Sequence, residues 1–320
     1  MGMRALKQMS FDGPGDLRLV ADAAVPVPGP GEVLIRVTAA GVNFADISKS
    51  YGVFGGGPTP PYLAGFEAAG EIVAVGGGVS EARLGELVVG VGDGAFAEYM
   101  VLPAAVPVPA GWTAQEALGL MVNWPTALAA LTTLGRVVAG ETVLIHAAAG
   151  ATGQAAVKIA KHYGATVIGT ASPGKHEVVL TLGADHVLDS RSDALTADVL
   201  RLTGGVDLVV ESGGTLEASL AAAKRVTGRV VVTGLAGGEA AITNWDLVYR
   251  HQVHVIGFNL GVLIETAPHL FGELMGELFG LIAAGVLSPG RPTTYDLADG
   301  PKALAELEAR ATIGKLALLP

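Results

Sequence analysis

Cysteine is absent from the 320-residue chain. That removes disulfides, iron–sulfur clusters, thiolate zinc sites and cysteine nucleophiles together. Charge is also sparse: 16% of residues are charged, and 20 Lys plus Arg stand against 30 Asp plus Glu, for a formal net charge of −10. With a pI of about 5.1, the chain has no basic field to hold nucleic-acid phosphate or an anionic lipid surface. Residues 1–7 lack the apolar run of a signal peptide, so a cytoplasmic protein is expected. Residues 117–135 carry no charge, but Asn123, Pro125 and several Thr and Gly interrupt them. They are expected to form a buried helix and loop, not a membrane span.

What the chain has is apolar bulk and glycine. Hydrophobic residues make up 50% of it and mean hydropathy is +0.50, which describes a packed globular protein. Its length suggests about two domains at roughly 150 residues each. Up to about residue 110, short β-rich runs separated by Gly and Pro clusters read as a β-barrel. From about 120 to 258, apolar runs alternate with helical stretches, the pattern of a parallel α/β sheet. Six strands are expected, at 142–146, 165–171, 185–188, 206–211, 229–234 and 254–258, with helices at 154–163, 175–182, 193–202 and 216–226. Six strands in one open sheet suit a Rossmann fold. A long helix over 268–284 carries an apolar stripe of Leu270, Phe271, Leu274, Met275, Leu278, Phe279 and Ile282, read as core. A final short strand near Lys315 is expected to return to the first domain.

The glycines concentrate meaning at one place. After the apolar run Thr142-Val-Leu-Ile comes His146-Ala-Ala-Ala-Gly150-Ala151-Thr152-Gly153, then an amphipathic helix. Gly150 suits approach of the backbone to a pyrophosphate, Gly153 suits close helix–strand packing, and free amides at the helix start face the anion. Ala148 stands where the fingerprint's first glycine would be. An NAD site places Asp or Glu at the end of the next strand for the ribose 2′-hydroxyl. Here the chain reads Gly169-Thr-Ala-Ser172-Pro-Gly-Lys175. Ser172 and Lys175 suit a 2′-phosphate, which points to NADPH; the alternative is that Ser172 caps a helix and Lys175 is a solvated lysine. No Gly-x-Ser-x-Gly elbow is present, and His176-Glu-Val-Val-Leu lacks the second histidine of a zinc protease.

The segments Ala40-Gly-Val-Asn-Phe-Ala-Asp46, Gly65-Phe-Glu-Ala-Ala-Gly-Glu-Ile-Val-Ala-Val-Gly76, His146-Ala-Ala-Ala-Gly-Ala-Thr-Gly153, Gly169-Thr-Ala-Ser172, Leu182-Gly-Ala-Asp-His-Val187 and Gly314-Lys315 run through the whole chain in order. In them it resembles the zinc-independent quinone oxidoreductase branch of the medium-chain dehydrogenase/reductases. The resemblance implies an α/β protein: a GroES-like β-barrel catalytic domain over 1–120, a six-stranded Rossmann NADPH-binding domain over 121–258, and a return segment, 259–320, completing the first. It implies a homodimer paired through the last Rossmann strand. It also implies catalytic roles for Asn43 and Asp46, and cofactor contacts at Asn43, Thr126, Gly150, Ala151, Thr152, Gly153, Gly234, Leu235, Phe258, Asn259 and Lys315; Ser172 and Lys175, read from the residues themselves, and Ser190 with Arg191, where the chain departs from the family, are expected to join them.

Zinc-dependent relatives carry a Cys and a His at their metal site. Here the Cys-equivalent stretch is Gly41-Val-Asn43 and the His-equivalent position is Phe66, so no metal is expected. Carbonyl polarisation then falls to hydrogen bonds, which suits conjugated acceptors. Many quinone reductases show Tyr, Arg and Tyr where this chain has Ser48, Ser50 and Phe54, with Tyr51 as the displaced candidate proton donor. Ser190 followed by Arg191 replaces a further tyrosine at the adenosine phosphate, and Gly55-Gly-Gly-Pro58 lengthens the pocket rim. The expected function is NADPH-dependent hydride transfer to a quinone or conjugated enone. The alternatives are an enoyl reductase of a biosynthetic pathway and a binding protein that holds NADPH without turnover.

Overall fold

The computed structural model describes residues 2–213 and 216–320. They form two compact units, 1–122 with 289–320 and 123–288.

The first unit opens with β1 (Gly2–Gln8), β2 (Leu17–Ala24) and β3 (Val33–Val42), then α1 (Phe44–Ser50), β4 (Tyr62–Leu63), β5 (Glu67–Val75), β6 (Leu87–Val91), β7 (Tyr99–Leu102) and β8 (Ala104–Pro107). Val33, Ile35 and Val37 alternate along β3 and share a core with Leu6, Phe96, Met100 and Leu102. The second unit begins at α2 (Asn123–Leu131) and alternates: β9 (Thr142–Ile145), α3 (Ala151–His162), β10 (Thr166–Ala171), α4 (His176–Thr181), β11 (His186–Asp189), α5 (Leu195–Thr203), β12 (Leu208–Glu211), α6 (Leu216–Ala222), β13 (Arg229–Val232) and β14 (His254–Gly257). α7 (Leu260–Thr266) and α8 (Pro268–Ala283) close it. The chain then returns to the first unit as β15 (Thr293–Asp296), α9 (Gly300–Glu308) and β16 (Leu316–Leu319).

The second unit's sheet is wholly parallel, in the order β11-β10-β9-β12-β13-β14. This is the doubly wound Rossmann arrangement, reversing direction between β9 and β12. Val143, Leu144, Ile145, Val167, Ile168, Val209, Val210, Val230 and Val231 are buried, because helices cover both faces of such a sheet. In the first unit β16 lies between β15 and β3, in a seven-stranded sheet continuing through β5, β6 and β8 with β7 paired to β3.

The return begins later than the sequence suggests. Residues 259–288, expected in the return segment, belong to the sheet-bearing unit. The cause is α8, whose buried Leu274, Met275, Leu278 and Leu281 form its inner face and which packs on α2. The Tyr163 hydroxyl also donates to Glu277 of the same helix. α7 is an element the periodicity did not signal. Among the described residues no helix is long and apolar enough to cross a membrane. Within 117–135, α2 is mostly buried.

Candidate functional site

In the second unit the singled-out residues collect at the carboxyl ends of the parallel strands, where ligands bind in open α/β sheets. Ala147–Gly150 follow β9, Ser172 follows β10, Ser190 and Arg191 follow β11, Gly234 and Leu235 follow β13, and Phe258 and Asn259 follow β14. The turn after β9 is tight. Ala147 takes a positive φ of 51°, so the left-handed residue lies one position before Ala148 and carries a side chain at some cost in strain. Gly150 caps α3 with no side chain of its own, leaving the first-turn amides of Ala151, Thr152 and Gly153 without a carbonyl one turn back. A Cβ on Gly153 would overlap the Ala147 carbonyl oxygen, so only glycine lets the helix approach the strand. Asn123 donates to the Thr152 hydroxyl at 3.2 Å, tying α2 to the start of α3. Thr126 lies half-buried on α2.

Ser172 makes no side-chain cap bond, although the Lys175 amide donates to its carbonyl at 2.9 Å. Burial, with help from the nearby Arg191 guanidinium, lowers the Lys175 pKa. Two cations are thus brought together beside the ends of β10 and β11, with no acidic residue at the end of β10. Ser190 and Arg191 are exposed, and the Arg191 amide donates to Asp189 at 3.0 Å. The Asn259 side chain accepts from the Val262 amide and so caps α7. Leu235 is exposed and Phe258 half-buried.

Beneath this surface lies a cluster that the motif reading passed over. His146, Thr170, Glu211 and Ser219 are all buried. His146 Nδ1 meets the Thr170 hydroxyl and Nε2 the Ser219 hydroxyl, each at 3.1 Å, and Ser219 donates to Glu211. Burial lowers the His146 pKa, opposed by Glu211. A histidine ending an apolar strand was the available signal.

The first unit assembles its candidate residues from charge. Asn43 ends β3 and opens α1, where Asp46 accepts from the Asn43 amide at 2.8 Å. The Asn43 side chain is engaged at both ends: Nδ2 donates to Glu67 at 2.9 Å and Oδ1 accepts from Lys315 Nζ at 2.7 Å. Lys315 also pairs with Glu67 at 2.5 Å, and the Gly119 amide donates to the other Glu67 oxygen at 2.6 Å. Glu67 is 0% exposed. A buried ion pair persists only when hydrogen bonds satisfy its remaining atoms, and here Asn43 and Gly119 supply them. A Cβ on Gly41 would overlap the Glu67 carboxylate, so the strand beside the pair is held to glycine. Glu67 was missed as a site residue; the signal was a carboxylate inside the apolar stretch Gly65-Phe-Glu-Ala-Ala-Gly.

Asp46 is enclosed, and burial pushes its carboxyl up to about 7, opposed by the Asn43 amide, Lys49 and Lys315. Its Oδ1 has no hydrogen-bond partner among the described residues. Tyr51 lies apart from this group. Its ring covers Gly13, and the Glu308 carboxylate beside its hydroxyl raises its pKa, so it holds its proton more firmly. The hydroxyls of Ser48 and Ser50 donate to carbonyls of their own helix, Phe44 and Ile47.

Comparison with known proteins follows this division. Residues 29–110 match the alcohol dehydrogenase GroES-like domain and residues 151–276 the zinc-binding dehydrogenase model. A synaptic vesicle membrane protein VAT-1 homolog from Rattus norvegicus is 31% identical over 99% of this chain and 84% of its own length. Among solved structures, a mycobacterial protein complexed with NADPH superposes with a TM-score of 0.92 at 33% identity, covering 100% of both chains. Quinone oxidoreductase of Escherichia coli complexed with NADPH gives 0.89 at 30%, over 99% of this chain and 100% of that one. The CurK enoyl reductase gives 0.88 at 29%, over 100% and 99%. The chain belongs to the medium-chain dehydrogenase/reductase superfamily, in its quinone oxidoreductase branch.

Proposed function

We propose that the chain is an NADPH-dependent reductase that delivers hydride to a quinone or a conjugated enone without a metal. The observation that carries this reading is the strand-end surface of the second unit, with its glycine-only approach at Gly153 and the paired cations Lys175 and Arg191. These residues fit the cofactor. The α3 amides suit the pyrophosphate, and Ser172, Lys175 and Arg191, with Ser190 beside them, suit the 2′-phosphate. Thr126, Gly234, Leu235, Phe258 and Asn259 are proposed to line the rest of the dinucleotide. Bound NADPH would supply the hydride.

In the first unit Asn43, with both ends of its amide engaged, fixes the start of α1, and Lys315 with Glu67 fixes Asn43. These are positioning roles, and they hold the walls against which an acceptor is oriented. Asp46, poised near neutrality, is the candidate proton carrier, and Tyr51 on Glu308 is the second. The metal-free reading is supported by the lack of cysteine and by Phe66 and Asn43 at the two ligand positions. Homodimerisation is proposed through β14, an edge strand paired on one side by β13 and exposing Val255.

The test is NADPH consumption with product analysis, in parallel reactions with an ortho-quinone and a small α,β-unsaturated ketone. Quinone reduction alone supports the quinone reductase reading. A saturated ketone moves the assignment to enoyl reduction, a reading favoured by the loss of tyrosines at Ser48 and Phe54 and by the similarity to an enoyl reductase. NADPH binding with no turnover of either overturns the catalytic reading in favour of a binding protein.

A further inference from the structure

The carboxyl-terminal half of α1 holds a lysine in an unusual setting. Lys49 has a side chain only 13% exposed, and its one ion-pair partner among the described residues is Asp93 at 3.9 Å, beyond hydrogen-bond reach and itself 84% exposed. The ammonium lies 4.5 Å from the ring centroid of Phe66 and 5.3 Å from that of Phe54. Three other lysines of this protein are engaged by strong acceptors. Lys161 meets Asp185 at 2.8 Å, Lys224 meets Asp207 at 2.7 Å, and Lys315 meets Asn43 and Glu67. Lys49 has three N–H donors and, among the described residues, no acceptor within bonding distance.

Two phenyl faces hold a cation electrostatically without consuming its donors and keep bulk water off part of it. The nearby buried carboxyls do not cancel its charge. Glu67 is committed to Lys315, and Asp46, pushed up to about 7 by burial, is substantially protonated near neutrality. Phe66 immediately precedes Glu67 in the chain, and the ammonium is close enough to Asp46 to act on it electrostatically. A partly desolvated cation with open donors is what an oxygen gathering negative charge requires.

We propose that Lys49 is a catalytic cation of the acceptor site, donating to the acceptor oxygen that becomes anionic during reduction. This rests on the reductase reading above. With an enone, the β-carbon receives the hydride with its electron pair. The C=C π pair then shifts to join the α-carbon to the carbonyl carbon, and the C=O π pair settles on oxygen as an enolate held by Lys49. Return of that pair, with a proton from water bonding to the α-carbon, gives the saturated ketone. Lys49 thereby selects acceptors whose product of hydride addition is an oxyanion, and stabilises that species more than the neutral ground state.

The test uses p-nitrophenol, whose yellow phenolate reports oxyanion binding without turnover, titrated near neutral pH into the wild type, Lys49→Met and Lys49→Arg. The expected result is phenolate binding by the wild type, at least about tenfold weaker binding by K49M, and recovery to within about threefold in K49R. With the enone, kcat of K49M should fall at least about tenfold while NADPH affinity, followed by nicotinamide fluorescence, stays unchanged. Absence of phenolate binding in the wild type, or equal binding by wild type and K49M, overturns the assignment of Lys49. Lys49-dependent phenolate binding with no turnover of quinone or enone overturns the reductase reading instead, and leaves Lys49 as an oxyanion-binding residue.

Discussion

The candidate residues of the second unit work mainly through backbone at strand ends, whereas those of the first work through charged side chains sealed from water. Gly150, Gly153 and the first-turn amides of α3 present donors because the chain there lacks side chains and lies close to β9. Glu67, Lys315, Asn43 and Asp46 lie at 0 to 8% exposure, and hydrogen bonds join them into one group. The first design tolerates a change of side-chain charge but not of backbone shape. The second has the opposite sensitivity, because a buried charge deprived of its partner is far costlier than a displaced turn.

Breaking the charged group should therefore have the largest effect. Glu67→Ala leaves Lys315 buried without its carboxylate and should cost about 3–5 kcal/mol in denaturant unfolding. Pairing Glu67→Gln with Lys315→Met should recover most of that loss, and failure to do so would deny that an unpaired charge is its cause. Asp46 sharpens the comparison through pH. Folding raises its pKa from 3.8 to about 7, so the folded chain keeps a proton that the unfolded chain releases. Its contribution is full below about pH 4 and is lost as pH rises through about 7, a span of about 4 kcal/mol. Thermal midpoints of Asp46→Asn should be flatter across that window than those of the wild type.

In the second unit, Lys175→Ala should lower the ratio of NADPH to NADH affinity by about 1.5–3 kcal/mol, measured by fluorescence titration of both nucleotides. An unchanged ratio would remove Lys175 from the 2′-phosphate site. Gly153→Ala should cost about 1–3 kcal/mol by forcing α3 off the Ala147 carbonyl. Its signature is weaker binding of both nucleotides with their ratio preserved.

The second unit was legible in the sequence because its information is local. A parallel sheet covered on both faces demands continuous apolar runs, and each of the six expected runs contains the core of an observed strand, β9 to β14. Helix ends shifted by a few residues, and the unit's end shifted to residue 288 because packing of α8 on α2 is a tertiary fact. The charged group was less legible. Asn43 and Lys315 were singled out by resemblance, but the carboxylate that unites them was not, since Lys315 and Glu67 are 248 positions apart. Lys49 was invisible for a related reason: a lysine on a short helix reads as solvated until Phe54 and Phe66 are seen around it.

The position of β16 between β15 and β3 also bears on how the protein is made. Residues 123–288 leave the ribosome as an uninterrupted stretch holding all six strands of their sheet, and a unit of that kind folds as it emerges. The first unit is completed only when residues 289–320 follow. Until residue 316 is synthesised, β3 has β5 and β7 beside it but lacks β16 along Ala40–Val42, and Glu67 lacks its lysine. The part of the first unit that precedes residue 123 therefore reaches its final arrangement only after the whole of the second unit has been made.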